Sequence, residues 1–511
     1  MSGADGVSRR RVIGAAALLL ASPAHAGDPA VATPAGTFAG TREKGLSVFR
    51  GIRYGRADRF AAPRAEIKPG QRIAATGFGP VAPQAGTRYG PQSEDCLFLN
   101  IWTPAPDAQR RPVLVYVHGG AYANGSVTDP QNDGAALAAA GDVVVVTINH
   151  RLNALGYLYL ARFDPRFADS GNAGQLDLVL ALRWLRDHIA AFGGDPGNVT
   201  IFGQSGGGAK IATLMAMPAA ADLFHRAVTM SGQQVTASGP LNATARARAF
   251  LDRVGVRPDN LAPLLTMPVA KVLEGLAATD PVLGGGVYFG PVLDMRHLLR
   301  HPYWPDAAPQ ARAIPMLLGN TRDEARAFLP PDSAKLAGLD WDNLAARLAP
   351  ELRVDILPEW VIAAYRAREP DITPRALLWR AVTAGRSWRG QIIEAEMRAA
   401  VAAPTWVYQL DFADPARPEA GAMHTMDIPL MFGTLAAAGS PSGTSPGAQA
   451  TSRAMQAALL GFARTGTLPW PQYRSDRRAT MIFDSVSRVM DNPRGWEREL
   501  FARVPYIQPG S

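Results

Sequence analysis

The stretch NVTIFGQSGGGAKIATLMAM, residues 198–217, places a strand pattern, a Gly-x-Ser-x-Gly turn and a helix pattern in direct succession. At such a junction a sharp turn lifts the serine hydroxyl out of a sheet. Gly203 and Gly207 leave room for backbones that cross closely there. The N-terminus of the following helix favours negative charge that develops beside it. The stretch therefore predicts a nucleophilic Ser205 on the sheet of an α/β protein.

Competing interpretations of serine and glycine patterns fit less well. A second Gly-x-Ser-x-Gly match lies at residues 443–447, centred on Ser445, but we expect it to follow no strand and to open no helix. A phosphate-binding loop would need lysine at position 209, and a Ser-x-x-Lys site would need lysine at position 208. Alanine and glycine stand there, and we expect Lys210 on the surface of the helix.

Short runs rich in Val, Ile and Leu recur along the chain with helical stretches between them. Runs of this kind are typical of strands buried on both faces of a mostly parallel sheet, which indicates the α/β class with helices flanking the sheet. A helix is predicted from Leu176 to Phe192, where apolar residues follow helical spacing and Gly193-Gly194 ends the pattern. The predicted strands are Pro112–Val117, Asp142–Asn149, Val199–Phe202, Ile314–Leu318 and Trp406–Leu410.

Two long stretches look less like strands. Residues 235–310 and 325–400 are rich in Ala, Arg, Leu and Pro, so we expect helical or irregular insertions that roof the active site. Residues 439–447 are predicted to form a mobile surface loop. No internal repeat or long linker divides the chain, and residues 27–511 are predicted to form a single domain.

The first 26 residues have the pattern of a cleaved signal peptide. Three arginines, Arg9 to Arg11, precede an apolar run over residues 12–21, and Ala24-His25-Ala26 is a suitable cleavage site. Ser8-Arg9-Arg10 resembles a twin-arginine signal, although a plain secretory signal remains the alternative. The run of about ten residues is shorter than the roughly 20 that span a membrane. We therefore expect a periplasmic or secreted protein without a membrane anchor.

Composition excludes several classes of protein. The 511 residues are 47% hydrophobic, enough for a large core, and the formal net charge is +8. The arginines are scattered rather than clustered, which argues against a nucleic-acid partner. Cys96 is the single cysteine, so the chain cannot form an internal disulfide and we expect this residue to be buried and inert.

The sequence also resembles the type B carboxylesterases, the family that includes the cholinesterases. This resemblance implies an α/β-hydrolase fold and hydrolysis of small-molecule carboxylic esters through an acyl-enzyme, without a metal or an organic cofactor. The matching segments are LSVFRGIRYG (46–55), SEDCLFLNIW (93–102), VYVHGGAYANGS (115–126), GNAGQLDLVLALRWLRDHIAAFGGDPGNVTIFGQSGGG (171–208), LLGNTRDEARAF (317–328) and GAMHTMDIPLMFG (421–433).

The resemblance and the chain order together indicate a catalytic triad. His424 follows the strand at 406–410 and falls in the family's catalytic-histidine motif, which makes it the expected general base. The acid should lie between the serine and the histidine in sequence, and Glu324 does so just after a predicted strand. The adjacent Asp323 is the alternative acid, although the family's Asp-Glu pair favours Glu324. Ser231 resembles a serine that supports the acid.

Backbone N–H groups are expected to stabilise the negative charge that develops on the attacked carbonyl. The candidates are Gly120 and Ala121, in the turn after the strand that ends at Val117, and Gly206, directly after the serine. The family usually has alanine at position 206 and glutamate at position 204, whereas this chain has Gly206 and Gln204. The small residues around Ala121 resemble an oxyanion motif associated with tertiary-alcohol esters, although the neighbouring Tyr122 could close that space.

Two other functions are considered. A serine amidase or carbamate hydrolase would use the same constellation of residues. A binding protein of this family would usually lack a member of the triad, whereas this chain has all three. The acyl and alcohol groups of the substrate and the oligomeric state are not determined by the sequence.

Overall fold

The computed structural model describes residues 27–352, 354–508 and 510, so the predicted signal peptide lies outside the described residues. The strands are β1 Ala30–Thr33, β2 Gly36–Ala39, β3 Thr41–Glu43, β4 Leu46–Arg53, β5 Gly55–Arg56, β6 Arg64–Ala65, β7 Arg72–Ala74, β8 Phe98–Thr103, β9 Arg111–Val117, β10 Val144–Ile148, β11 Gly194–Gln204, β12 Arg226–Met230, β13 Met316–Thr321, β14 Thr405–Leu410, β15 Ala479–Phe483 and β16 Arg488–Asp491.

Helices separate most of these strands. The α-helices are α1 Ala135–Gly141, α2 Asn153–Tyr157, α3 Ala173–His188, α4 Gly206–Leu214, α5 Pro240–Val254, α6 Ala262–Thr266, α7 Val269–Glu274, α8 Ala325–Phe328, α9 Leu344–Leu352, α10 Pro358–Arg368, α11 Pro374–Val382, α12 Arg389–Ala400, α13 Asp427–Phe432, α14 Pro446–Thr465 and α15 Gly495–Phe501. Thr383–Trp388 forms a π-helical turn between α11 and α12.

Eleven strands form the central sheet, in the order β16-β15-β14-β13-β12-β11-β9-β10-β8-β4-β3. The seven strands from β15 to β10 run parallel to their neighbours, and antiparallel pairs close both edges. The prediction of a mostly parallel sheet is therefore confirmed. Each of the five strands predicted from the sequence overlaps one of these parallel strands, with ends that differ by a few residues.

The two faces of the sheet carry separate parts of the core. Successive side chains of a strand point to opposite faces, so Val113 and Val115 of β9 lie in one apolar cluster while Leu114 and Tyr116 lie in the other. Helices α3, α4 and α12 contribute to the first cluster, and α1, α13 and α14 contribute to the second. Burial of each such valine or leucine contributes about 1.5–3 kcal/mol, so the helices are held firmly against the sheet.

Helix α3 agrees with its predicted pattern. It continues as a 3-10 turn through Phe192, and Gly193 then adopts a left-handed conformation with φ of 85°. The second insertion is largely helical, whereas the first combines three helices with longer irregular segments. Residues 235–310 contain α5 to α7, and residues 325–400 contain α8 to α12, whose apolar side chains form a cluster of their own.

The prediction that the second Gly-x-Ser-x-Gly match opens no helix is wrong. Ser445 caps helix α14, and its side chain accepts a hydrogen bond from the Ala448 N–H at 3.2 Å. Pro446 takes the first helical position, where its missing N–H is no loss. The predicted surface loop therefore ends at the start of α14, and the Ser445 side chain serves as the N-cap of this helix.

Among the residues described, none of the helices is both long and apolar enough to cross a lipid bilayer.

Candidate active site

The turn between β11 and α4 holds Ser205 in an unusual backbone conformation. Its φ is 55° and its ψ is −124°, a combination that only a surrounding structure can maintain in a residue other than glycine. The Ser205 N–H donates to the Met230 carbonyl on the neighbouring strand at 2.7 Å. A Cβ atom at position 207 would lie 2.0 Å from the Val117 carbonyl oxygen, which explains why this residue is glycine. The strand, turn and helix predicted around Ser205 are thus present.

The structure brings His424 and Glu324 together from two different loops. Glu324 follows β13 and His424 follows β14, two adjacent parallel strands whose carboxyl ends lie at the same edge of the sheet. His424 Nδ1 is hydrogen-bonded to Glu324 Oε2. Both side chains are buried, and the carboxylate is fully so. This hydrogen bond fixes the imidazole and leaves its other nitrogen, Nε2, free of the carboxylate.

Asp323, the alternative acid, makes its contacts with groups other than the His424 ring. Its Oδ2 accepts the Ala422 N–H at 3.1 Å, and its Oδ1 lies 3.4 Å from Arg326 Nε. The Asp323 N–H donates in turn to the Ala422 carbonyl at 2.9 Å. Asp323 therefore ties together the loops that carry Glu324 and His424, and its carboxylate has partners other than the imidazole.

Glu324 is held in its ionised form by the groups around it. Burial alone would raise the pKa of this carboxyl, but the His424 ring and hydrogen bonds from its other neighbours bring the pKa below the usual value. Oε1 accepts hydrogen bonds from Ser231 Oγ at 2.5 Å, Thr321 N at 2.8 Å and Asn320 Nδ2 at 3.2 Å. Ser231 thus supports the carboxylate as the resemblance implied.

A second buried carboxyl lies behind this pair. Burial and the negative charge of Glu324 raise the pKa of Asp427 to about 7, although the nearby His424 opposes the shift. The Tyr408 hydroxyl donates to Asp427 Oδ2 at 3.2 Å. Near neutral pH, Asp427 is therefore partly protonated, and Glu324 carries most of the negative charge beside the imidazole.

His424 Nε2 lies 3.2 Å from the amide nitrogen Nε2 of Gln204. With the ring proton on Nδ1, where Glu324 accepts it, Nε2 is an acceptor for this amide. In the described part of the chain Ser205 Oγ has no hydrogen-bond partner, although it lines the same cavity as His424. The residue before the serine therefore contacts the imidazole directly, a contact that sequence reasoning did not foresee.

Two of the three predicted oxyanion residues, Ala121 and Gly206, line the same cavity as Ser205, and Gly120 directly precedes Ala121 in the chain. Gly120 and Ala121 both have positive φ values, 90° and 54°, in the turn after β9, and Gly206 begins α4. In the part of the chain that the structure describes, the N–H groups of these three residues donate no hydrogen bond. They remain available to a ligand. A side chain at Gly206 would meet the Ala121 carbonyl oxygen at 2.0 Å, so glycine rather than alanine fits here.

The prediction that Lys210 lies on the helix surface is wrong. Every residue of α4 is buried, so this helix has no solvent face, and Lys210 is 0% exposed. Its ammonium Nζ donates to the Ala121 carbonyl at 2.6 Å and lies 4.9 Å from the centre of the Tyr122 ring. Burial lowers the pKa of Lys210 to about 7. The sequence did indicate that this helix is buried, because residues 206–214 contain no charged residue other than Lys210.

A cavity of about 160 Å³ opens over Ser205. Its walls come from the sheet edge and from both insertions. The cationic side chain in its wall is Arg386 of the π-helical turn, whose guanidinium lies 4.9 Å from the Phe328 ring. Sequence reasoning identified none of the insertion residues. The lining residues are Ala121, Ser205, Gly206, Ala209, Ser231, Gly232, Gln233, Gln234, Tyr288, Phe328, Arg386, Ser387, His424 and Gln508.

Comparison with known proteins agrees with this architecture. The carboxylesterase family profile matches residues 27–495. The chain is 33% identical over 501 residues to para-nitrobenzyl esterase of Bacillus subtilis, across 92% of this chain and 97% of that protein. It is also 33% identical to phenmedipham hydrolase of Pseudarthrobacter oxydans, across 89% and 94% of the two chains.

Solved structures show the same relationship. The crystal structure of the carboxylesterase EST55 from Geobacillus stearothermophilus superimposes with a TM-score of 0.83 at 38% identity, across 92% of this chain and 99% of that one. A para-nitrobenzyl esterase structure gives 0.79 at 34% identity. With an α/β sheet, a serine at its strand-helix turn and homology along almost the whole described chain, the protein belongs to the carboxylesterase family and is a carboxylic ester hydrolase of the α/β-hydrolase fold.

Proposed function

We propose that the protein hydrolyses small-molecule carboxylic esters through an acyl-enzyme on Ser205, with His424 as general base and Glu324 as the acid that orients it. The observation that carries the proposal is the buried hydrogen bond between His424 Nδ1 and Glu324 Oε2, in a histidine that lines the same cavity as Ser205. The carboxylate keeps the ring proton on Nδ1 and stabilises the imidazolium that forms during reaction.

The cycle has two halves. In the first, Ser205 Oγ attacks the ester carbonyl while His424 Nε2 accepts its proton, and that proton then passes to the departing alcohol. In the second, His424 accepts a proton from water, which attacks the acyl-enzyme, and the acid leaves as Ser205 recovers its proton. In each tetrahedral intermediate the N–H groups of Gly120, Ala121 and Gly206 donate to the oxyanion.

Proton transfer from Ser205 to His424 requires the Gln204 amide to move away from His424 Nε2. In the resting structure this amide occupies His424 Nε2 at 3.2 Å, the atom that must accept the serine proton. Catalytic hydrogen bonds are often absent or loose before substrate binds and form in the complex. We infer that rotation of Ser205 Oγ toward Nε2, with displacement of the Gln204 amide, accompanies substrate binding.

The alcohol group of the ester is proposed to lie beside Ala121. Only a methyl group projects from Ala121 beside the nucleophile. The Tyr122 ring is buried beneath the turn, packs against Tyr157 and donates its hydroxyl to Gln234 Oε1 at 2.8 Å. Tyr122 is therefore turned away from the space that it could have closed, which supports acceptance of bulky tertiary-alcohol esters.

Export remains part of the proposal. Residues 1–26 have the composition of a cleaved, twin-arginine-like signal, and the domain proposed for residues 27–511 would then act in the periplasm or outside the cell. Sequencing the N-terminus of the protein recovered from the periplasm tests cleavage after Ala26. A protein that keeps its first residues in the cytoplasm contradicts this part of the proposal and leaves the chemistry untouched.

Titration with diethyl 4-nitrophenyl phosphate tests the nucleophile. We expect one equivalent of 4-nitrophenol per chain, an adduct on the peptide that contains Ser205, and no burst from the S205A variant. The S445A variant is the matched control, because it removes the serine of the second Gly-x-Ser-x-Gly match and should keep the full burst. A burst that survives in S205A contradicts the assignment. Comparison of 4-nitrophenyl acetate with 4-nitroacetanilide separates the esterase from the amidase alternative.

A further inference from the structure

Lys210 is a buried cation that the proposed reaction cycle does not use. It is fully buried, and none of the ion pairs in the described chain involves it. The titratable side chains around it are His118, His150 and Tyr122, none of which is an acid that could neutralise an ammonium near neutral pH. An ammonium without a counter-ion is expensive to bury. Its position therefore calls for a reason other than stability.

The hydrogen bond of Lys210 goes to the oxyanion turn. Three successive carbonyl groups of that turn accept hydrogen bonds. The Gly120 carbonyl accepts from the N–H groups of Ala123 and Asn124, at 3.1 Å and 3.0 Å, and the Tyr122 carbonyl accepts from the Asn153 N–H at 2.6 Å. The Ala121 carbonyl between them is held by a side chain, through Lys210 Nζ at 2.6 Å. Loss of the lysine side chain would release this one carbonyl.

Release of the Ala121 carbonyl would affect the N–H group of the same residue. Ala121 is held at φ of 54°, a left-handed conformation that is unfavourable for a residue with a side chain. A charge-assisted hydrogen bond is among the stronger kinds and offsets this strain. If Ala121 relaxed, rotation about its N–Cα bond would turn its N–H relative to the rest of the turn. That N–H is one of the three proposed oxyanion donors.

The same carbonyl oxygen explains the residue after the nucleophile. The Ala121 oxygen that Lys210 holds lies so close to Gly206 that an added methyl would be 2.0 Å away. Gly206, where the family usually has alanine, and the buried Lys210 therefore meet at one atom, the Ala121 carbonyl oxygen. A larger residue at 206 would push the carbonyl off the ammonium.

We propose that Lys210 is a positioning residue, which holds the Ala121 carbonyl so that the Ala121 N–H stays directed at the oxyanion, and that Gly206 is required for this contact. The inference rests on the proposed function. When it is protonated, Lys210 also places a positive charge close to the oxyanion donors, in a buried region where such a charge acts strongly.

The K210M variant tests the proposal, because methionine has a similar length and fits an apolar site. With 4-nitrophenyl acetate we expect kcat to fall about 10- to 100-fold, since a single oxyanion donor typically contributes about 100- to 1000-fold. KM should change less than about threefold. The affinity for a trifluoromethyl ketone, which forms a tetrahedral adduct with the serine, should fall in parallel with kcat. K271M, on the exposed side of α7, is the matched control and should leave all three values unchanged.

The G206A variant tests the same contact from the other side. We expect a loss of kcat similar to that of K210M, and the double variant should lose little more than either single variant, because both disturb one carbonyl. Fully additive losses, or a kcat within about twofold of wild type in either folded variant, would overturn the inference. If K210M fails to fold, a kcat of folded G206A within about twofold of wild type still overturns the inference. Stoichiometric phosphorylation of Ser205 in the wild type distinguishes these results from failure of the proposed function.

Discussion

Replacement of Lys210 by methionine should make the protein more stable while it makes the enzyme slower. Burial lowers the pKa of Lys210 to about 7, whereas an ordinary lysine titrates near 10.4. At this residue the folded chain therefore binds fewer protons than the unfolded chain between about pH 7 and pH 10.4, and the contribution of Lys210 to the stability of the wild type becomes more favourable with rising pH across this window. Below pH 7 both states are protonated, and the full penalty, about 5 kcal/mol, remains.

Methionine removes this penalty but also removes a hydrogen bond. The Ala121 carbonyl would lose its donor, which costs about 1–3 kcal/mol when the group stays buried. The expected net gain at pH 6 is therefore about 2–4 kcal/mol. It should reach zero between about pH 8 and pH 10 and then reverse, because the charge penalty fades with rising pH while the cost of the lost hydrogen bond stays. No neighbour of Lys210 titrates inside this window. Burial lowers the pKa of His118 to about 3 and that of His150 well below its usual value, and burial raises the pKa of Tyr122.

Urea unfolding followed by tryptophan fluorescence at pH 6, 8 and 10 measures the effect. The unfolding free energy of K210M should exceed that of the wild type at pH 6, and by pH 10 it should be equal to or lower than that of the wild type. A variant that is less stable than the wild type at pH 6 would refute the reasoning. So would a stability difference that does not depend on pH, because the lysine would then not be a buried charge of lowered pKa.

Three further predictions concern the proposed chemistry and the second serine. E324Q should lower kcat by about three to four orders of magnitude, because the amide cannot stabilise the imidazolium, whereas D323N should lower kcat by less than about tenfold; the reverse order in steady-state assays would make Asp323 the acid. S445A should lower the unfolding free energy by about 1 kcal/mol through loss of the α14 cap, and it should leave turnover unchanged. Linalyl acetate should be hydrolysed slowly in a reaction that requires Ser205 and is lost in A121V, and turnover at the background rate would contradict a roomy alcohol site.

Local sequence patterns were sufficient to predict the nucleophile turn. Crossing backbones leave no space for a side chain at Gly207, and the adjacent strand and helix patterns are each continuous enough to recognise. The parallel strands could be predicted for a similar reason, since burial on both faces demands an unbroken apolar run such as Val144–Ile148. These features depend on residues that are neighbours in sequence.

The predictions for Lys210 and Ser445 were wrong because each residue was interpreted without the residues of the helix that contains or follows it. A lysine is usually exposed, but α4 combines three glycines, two alanines and apolar residues, and such a helix is buried on every side. Ser445 was considered as a rival nucleophile, although a serine followed by proline is a common helix start. In both cases the signal was present in the neighbouring residues rather than in the residue itself.

The walls of the cavity could not be predicted from local patterns. Tyr288 comes from the first insertion, Phe328 and Arg386 come from the second, and Gln508 lies close to the C-terminus. Their convergence over Ser205 depends on how separate helices pack, and no spacing in the sequence encodes it. The substrate that the enzyme prefers depends on these same residues, which is why the reaction type follows from the sequence and the choice of ester does not.

The exchange of glutamate for glutamine before the nucleophile changes what this position can do. An ionised carboxylate only accepts hydrogen bonds, whereas the Gln204 amide also donates, and it donates to the nitrogen of His424 that must take up the serine proton. Because Glu324 holds the ring proton on Nδ1, the amide and the Ser205 hydroxyl are both donors suited to Nε2. Ser205 must therefore displace a neutral donor of comparable strength. That exchange leaves the buried Gln204 amide without its partner, at a cost of about 1–3 kcal/mol, so Gln204 holds the imidazole in place between turnovers.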